Sequence, residues 1–249
     1  MPHPWANRLG RIYVPDERDW NTATLHAAFP GLHAAVPAWT DPVVLDQGAY
    51  GTCVGNGWAG WGDSMPVEDS YTETDARAIY FEATCLDGHC DDPDAPGGGQ
   101  QGSSVRSGAQ AMQKRGRLAA YAFSVSLADM NEWLDNHGPV VMGTNWTNGM
   151  FTPDANGYIA PTGPVEGGHC YLCIDHITED GADDYLFRNS WGASWGLGGD
   201  FKMHAADVQA LLSASGEACF AVELAAGPQP APDPQPSGCL PGLLGRLRR

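Results

Sequence analysis

Gln47-Gly48-Ala49-Tyr50-Gly51-Thr52-Cys53 is the stretch on which the reading of this chain turns. Its glycines mark a loop, and the residues from Cys53 to about Met65 read as a helix, so the loop delivers a thiol to a helix start. The partial positive charge of a helix N-terminus favours thiolate over thiol. Gln47 can turn its side-chain N–H toward an oxygen held at that sulfur. A nucleophile with an oxyanion donor beside it is half of an acyl-transfer site. The helix carries Gly55, Gly57, Gly60 and Gly62, each costing about 1 kcal/mol against alanine. That load predicts a buried helix approached closely by neighbouring backbone, with Trp58 and Trp61 packing to either side.

The other half of the site is a base and a group to orient it. Among eight histidines, His169 stands at a strand start, after Glu166-Gly167-Gly168 and before the apolar run from Cys170 to Ile177. Asn189 ends the next strand, Tyr185-Leu186-Phe187-Arg188, and opens Asn189-Ser190-Trp191-Gly192. Two antiparallel strands joined by a turn around Asp180-Gly181 put His169 and Asn189 side by side. The amide can then accept a hydrogen bond from one ring nitrogen and leave the other for the thiol. Trp191 can shield that bond from water.

Three blocks carry a family resemblance: Asp46-Gln47-Gly48 with Cys53; Gly168-His169; and Asn189-Ser190-Trp191-Gly192-Ala193-Ser194-Trp195-Gly196 followed by Gly199-Asp200-Phe201. Over roughly residues 40–224 the chain resembles a papain-like cysteine peptidase. The resemblance implies a two-lobed α+β fold, with Cys53 as nucleophile on the helical lobe and His169 on the β lobe across a groove. It further implies Asn189 as the group orienting His169, and Gln47 with the Cys53 backbone N–H as the oxyanion hole. Cys53 and His169 would form a thiolate–imidazolium pair acting on a protein or peptide substrate, with no metal or cofactor. Gly102, Gly168 and Trp191 are the expected substrate-binding residues, Gly102 through its backbone. Val54 departs from the tryptophan the family usually has after the nucleophile. Two other readings stay open: a catalytically silent peptide-binding relative, and another acyl transfer such as an amidase, transpeptidase or exopeptidase.

Composition narrows the classes. The chain has 249 residues, enough to bury a substantial core. Its net charge of −17 argues against a nucleic-acid partner, since phosphate binding needs clustered Lys and Arg. No apolar run approaches the ~18 residues of a membrane span. The N-terminus lacks the apolar segment of a secretory signal, so a cytoplasmic location and free thiols are expected for the seven cysteines, with Cys85/Cys90 the first pair to test.

The chain divides into an extended lead-in at 1–39, the peptidase domain at 40–226, a Pro-rich linker at 227–238 and a short basic, Leu-rich tail at 239–249 that could dock a partner. The lead-in is too short for a large separate inhibitory domain. Helices are expected after caps at Thr74, at Ser103 or Ser104, and at Ser126. Strands are expected over 140–144, 168–177, 185–189, 199–204 and 219–224, with a helix near 205–212 between the last two. Helices first and strands afterwards indicate α+β.

Rival motifs are weaker. Gly55-x-Gly57-x-x-Gly60 lacks a βαβ setting. Gly192-Ala193-Ser194-Trp195-Gly196 matches a serine-hydrolase elbow but lies between strands. Cys170 and Cys173, three apart on a strand, point to opposite faces and so do not share an ion.

Overall fold

A computed structural model describes residues 3–29, 40, 42–64, 70–179 and 182–224. The linker, the basic tail and the turn at Asp180-Gly181 lie outside the described residues. Among the described residues there are six α-helices: α1 (Thr22–Ala28), α2 (Cys53–Asp63), α3 (Glu73–Leu86), α4 (Val105–Lys114), α5 (Leu127–Asn136) and α6 (Ala205–Ser213). Six strands, β1 (Leu118–Ser124), β2 (Val140–Thr147), β3 (Val165–Glu179), β4 (Ala182–Arg188), β5 (Asp200–His204) and β6 (Glu217–Glu223), form one antiparallel sheet in the order β1-β6-β2-β3-β4-β5.

The two faces of this sheet build two cores, because side chains alternate along each strand. Val141, Cys170, Leu172 and Cys219 face the helical lobe and pack with Val54, Trp58, Ile79 and Met112 of α2, α3 and α4. Their neighbours Met142, Tyr171, Cys173 and Phe220 face the other way, toward Trp133, Val208 and Leu211 of α5 and α6. Cys170 and Cys173 therefore stand on opposite faces. The glycine-rich α2 is buried nearly throughout. A Cβ at Gly55 would meet the Ala76 carbonyl oxygen at 2.1 Å, and one at Gly57 the Cys170 sulfur at 2.8 Å. Those glycines let α2 lie directly against α3 and β3.

Several expectations change. The lead-in is not simply extended, since it contains α1, capped by Asn21. α3 is capped by Thr72, not Thr74, because Asp75 returns the bond to Thr72 in a capping box. Cys85 and Cys90 are joined in a disulfide, whereas Cys53, Cys170, Cys173 and Cys219 are free and buried. No helix among the described residues is long and apolar enough to cross a membrane.

Candidate functional site

Cys53 opens α2, and its N-cap Thr52 makes no side-chain capping bond, so the first-turn amides are left to act on the thiol. His169 and Cys170 begin the part of β3 that lies against α2, with His169 paired in register to Thr144 of β2. His169 Nε2 is 2.8 Å from Asn189 Oδ1. That oxygen also accepts the Ser190 N–H at 2.8 Å, which identifies it as the acceptor end of the amide. Nε2 therefore carries the hydrogen and Nδ1 the lone pair. Nδ1 is buried and forms no hydrogen bond among the described residues. Trp146 and Trp191 pack on the imidazole, with centroids at 4.8 and 4.9 Å. Trp191 thus covers the His–Asn bond, while Trp195 belongs to the core and donates its indole N–H to the Phe151 carbonyl.

Cys53 and His169 are both completely buried. Burial pushes the Cys53 thiol up to about 11, against the opposing pull of the Cys170, Gly10 and Val54 backbone amides and of Arg11. Burial brings His169 down to about 4, against the supporting bond to Asn189. The pair is neutral in this conformation. The thiolate–imidazolium form expected for the groove is suppressed here because neither charge has water around it.

What covers the pair is the start of the chain. Residues 3–13 form a strap across the groove. His3 stacks on Phe151 and Trp5 lies 5.4 Å from Trp191. The Arg8 carbonyl accepts the Gln47 side-chain N–H at 2.8 Å. Gly10 and Arg11 both donate their backbone N–H to the Gly168 carbonyl, at 3.0 and 2.9 Å. Ser103 donates to the Gly10 carbonyl and accepts from Ile12, each at 2.8 Å, so Arg11 pairs with it as a parallel bridge. Clearance is small: a Cβ on Gly10 would meet the Gly51 carbonyl oxygen at 1.8 Å, and one on Gly168 the Arg11 carbonyl oxygen at 2.2 Å. Residues 3–13 thus close the groove.

The residues singled out in the sequence therefore meet at one place, with adjustments. Gln47 has its N–H on the strap, shared with the Tyr50 carbonyl at 2.6 Å, while its oxygen accepts the Ser190 hydroxyl at 2.6 Å. Gly168 contributes its carbonyl to the extended segment, and Trp191 lines the end where Trp5 sits. Gly102 does not pair with that segment. Its N–H goes to the Tyr80 hydroxyl and its carbonyl to His89, and backbone pairing falls to Ser103. Gly102 instead supplies room at φ +77°, where a Cβ would meet the Gly10 carbonyl oxygen at 2.3 Å. Val54 is wholly buried in the helical-lobe core and does not line the groove. Asp46 caps the Gly48 amide and pairs with Arg8. Gly10, Arg11, Ser103 and Glu217 had no signal in the sequence, since their contacts join distant parts of the chain. Among the described residues one group could hold a metal ion, His26, Glu132 and His137, on or next to α1 and α5, which carry no residue of this site.

Comparison with known proteins bears on this arrangement. A family model described as papain family cysteine protease matches residues 69–218, a span that includes His169 and Asn189 and begins after Cys53. A gut-specific cysteine proteinase of Caenorhabditis elegans is 30% identical over 130 residues, covering 52% of this chain and 40% of that protein. Cysteine proteinase 2 of Zea mays is 40% identical over 58 residues, 23% of this chain and 15% of that protein. The chain thus spans less than half the length of these relatives. Among solved structures, xylellain, a cysteine protease from Xylella fastidiosa, has a TM-score of 0.64 at 17% identity, covering 90% of this chain and 99% of that one. A procathepsin B from Trypanosoma congolense has a TM-score of 0.56 at 12% identity, covering 89% and 88%. At such identities the likeness is one of fold.

Proposed function

This chain belongs to the papain family of cysteine proteases, and on that premise we propose that it is a cysteine endopeptidase with Cys53 as nucleophile and His169 as acid and base. The observation that carries the reading is the 2.8 Å bond from His169 to Asn189, which fixes the imidazole tautomer next in the chain to Cys170, whose backbone amide acts on the Cys53 thiol at the start of α2. Asn189 orients the ring, and Gln47 with the Cys53 N–H stabilises the oxyanion.

The reaction begins when the strap leaves the groove and water reaches the pair. Nδ1 takes the thiol proton, and the thiolate attacks the substrate carbonyl carbon while its oxygen receives the N–H groups of Gln47 and Cys53. His169 returns the proton to the departing amine, the C–N bond breaks, and a thioester remains on Cys53. Water, deprotonated by His169, then attacks the thioester, releasing the new carboxylic acid and restoring the thiol.

The test is labelling with an epoxide or vinyl sulfone followed by product masses from a peptide library. A Cys53 adduct with internal cleavage products is expected. No adduct at neutral pH would leave a silent peptide-binding protein, and cleavage only at chain ends or side-chain amides would indicate one of the other acyl transfers.

A further inference from the structure

Arg11 does more than continue the strap. Its side chain is 1% exposed, an unusual state for an arginine, and it enters a pocket between α4, β2 and the start of β6. There its Nε donates to Glu217 Oε1 at 2.9 Å, and its NH2 group donates to the Ser215 carbonyl at 2.9 Å and stands 2.8 Å from the same Glu217 oxygen. The walls leave no spare room: a Cβ on Gly143 would meet Val105, Glu217 and Arg11 atoms at 2.7, 2.8 and 2.9 Å. Glu217 is itself buried. A buried carboxylate without a partner is costly, so a pocket built on one needs a cation to fill it.

We propose that this pocket, closed by Glu217 and the Ser215 carbonyl, is the specificity pocket of the groove and selects substrates that place an arginine side chain in it. The proposal rests on the endopeptidase reading and names its substrate class: basic peptides. Three observations support it together. The pocket opens directly beside Ser103 and Gly168, the two backbone groups that hold an extended segment in the groove. It already holds a guanidinium, through hydrogen bonds to a carboxylate and a carbonyl that a neutral side chain of that length cannot replace. The chain carries a net charge of −17, which draws basic peptides toward it over neutral ones. When the strap lifts, Arg11 leaves the Glu217 carboxylate without its partner, and a substrate arginine restores one.

The test uses the full chain and its Gly10→Ala variant, in which the strap has no room to seat. Fluorogenic peptides carry Arg or Leu in turn at the first, second and third residue before the cleaved bond. At one of these positions kcat/KM is expected to be at least about tenfold higher for Arg. Glu217→Gln should bring that ratio to within threefold of one, and Glu217→Asp should restore part of it. Using the ratio within each variant cancels any change in strap opening. No preference at any position, or a preference that survives Glu217→Gln, overturns the proposal. If no peptide is cleaved, the endopeptidase reading falls separately. The same peptides are then titrated against Cys53→Ala in the Gly10→Ala background by tryptophan fluorescence. Tenfold tighter binding of an Arg peptide upholds the pocket, and equal binding overturns it.

Discussion

Replacing Gly10 by alanine puts a methyl group where the Gly51 carbonyl already stands, 1.8 Å from its oxygen and 2.5 Å from its carbon. Gly51 cannot yield, because its own amide is held by the Gly99 carbonyl at 2.7 Å. Ordinary contacts need about 3 Å or more, so the strap must rise by roughly 1 Å. That displacement breaks two bonds centred on residue 10: its N–H to Gly168 at 3.0 Å and its carbonyl from Ser103 at 2.8 Å. At about 1 kcal/mol net for each, the closed form loses about 2 kcal/mol, or roughly 30-fold in the closed-to-open ratio. The assay is the rate of Cys53 alkylation by iodoacetamide at neutral pH, resolved by peptide mass from buried Cys170, Cys173 and Cys219, with thermal melting as a check on the fold. Gly10→Ala should be modified roughly 30-fold faster, with turnover rising in parallel. A labelling rate within twofold of wild type, in a variant that melts normally, would refute the claim that the strap shuts the site.

Further outcomes follow from the same contacts. Cys53→Ala and His169→Ala should each remove nearly all turnover, whereas Asn189→Ala should lose less, since Trp146 and Trp191 still hold the ring; equal losses in kcat would show that the orienting role is misassigned. Strap closure should weaken as pH falls, because His169 is held to about 4 when closed and returns toward its ordinary 6.5 when open, so the open form binds the extra proton between those values. Glu217 opposes this, because burial lifts its carboxyl in the closed form, so the loss is best read over the upper part of that range, from 6.5 downward. Hydrogen exchange of the Gly10 and Arg11 amides, corrected for intrinsic rate, should show protection falling severalfold as pH drops below 6.5, and flat protection contradicts it. Asp91→Ala should cost about 3 kcal/mol in denaturant unfolding, because the buried carboxylate accepts the Tyr80 hydroxyl at 2.6 Å and the Gly99, Gln100 and Gln101 amides at 2.8 Å each. Those bonds outweigh burial and hold its carboxyl below the usual range, so this stability is present near neutrality and lost in acid.

How much of this was legible depends on how local each signal is. Cys53 and Asn189 could be read because each sits at an element boundary, and His169 because Gly167-Gly168 and an apolar run flank it, although β3 already begins at Val165. The glycines of α2 announced close packing for the same reason, since a missing side chain is visible in the sequence even when its neighbour is not. β1 escaped because Leu118-Ala119-Ala120-Tyr121-Ala122-Phe123-Ser124 alternates burial with alanine, a residue that carries little strand signal. Thr74 and Thr72 are equivalent as caps until Asp75 is seen returning the bond to Thr72. The shift from Gly102 to Ser103 is one residue, and it required knowing that the Gly102 carbonyl and amide were already engaged by His89 and Tyr80. The strap was out of reach altogether. Its decisive contact joins Arg11 to Glu217, 206 residues apart, and no periodicity in Leu9-Gly10-Arg11 hints at a partner.

The groups that hold the strap are the groups proposed to serve a substrate: the Gln47 amide, the Ser103 backbone, the Gly168 carbonyl and the Glu217 carboxylate. This overlap has a physical consequence for every variant in the groove. A substitution that weakens one of these contacts destabilises the closed form and the substrate complex together, so access to Cys53 rises while productive binding falls. A substitution confined to the strap, such as Gly10→Ala, raises access alone. Labelling rate and kcat/KM therefore diverge for groove variants and move together for strap variants. That divergence separates a contact used twice from one that only keeps the chain closed on itself.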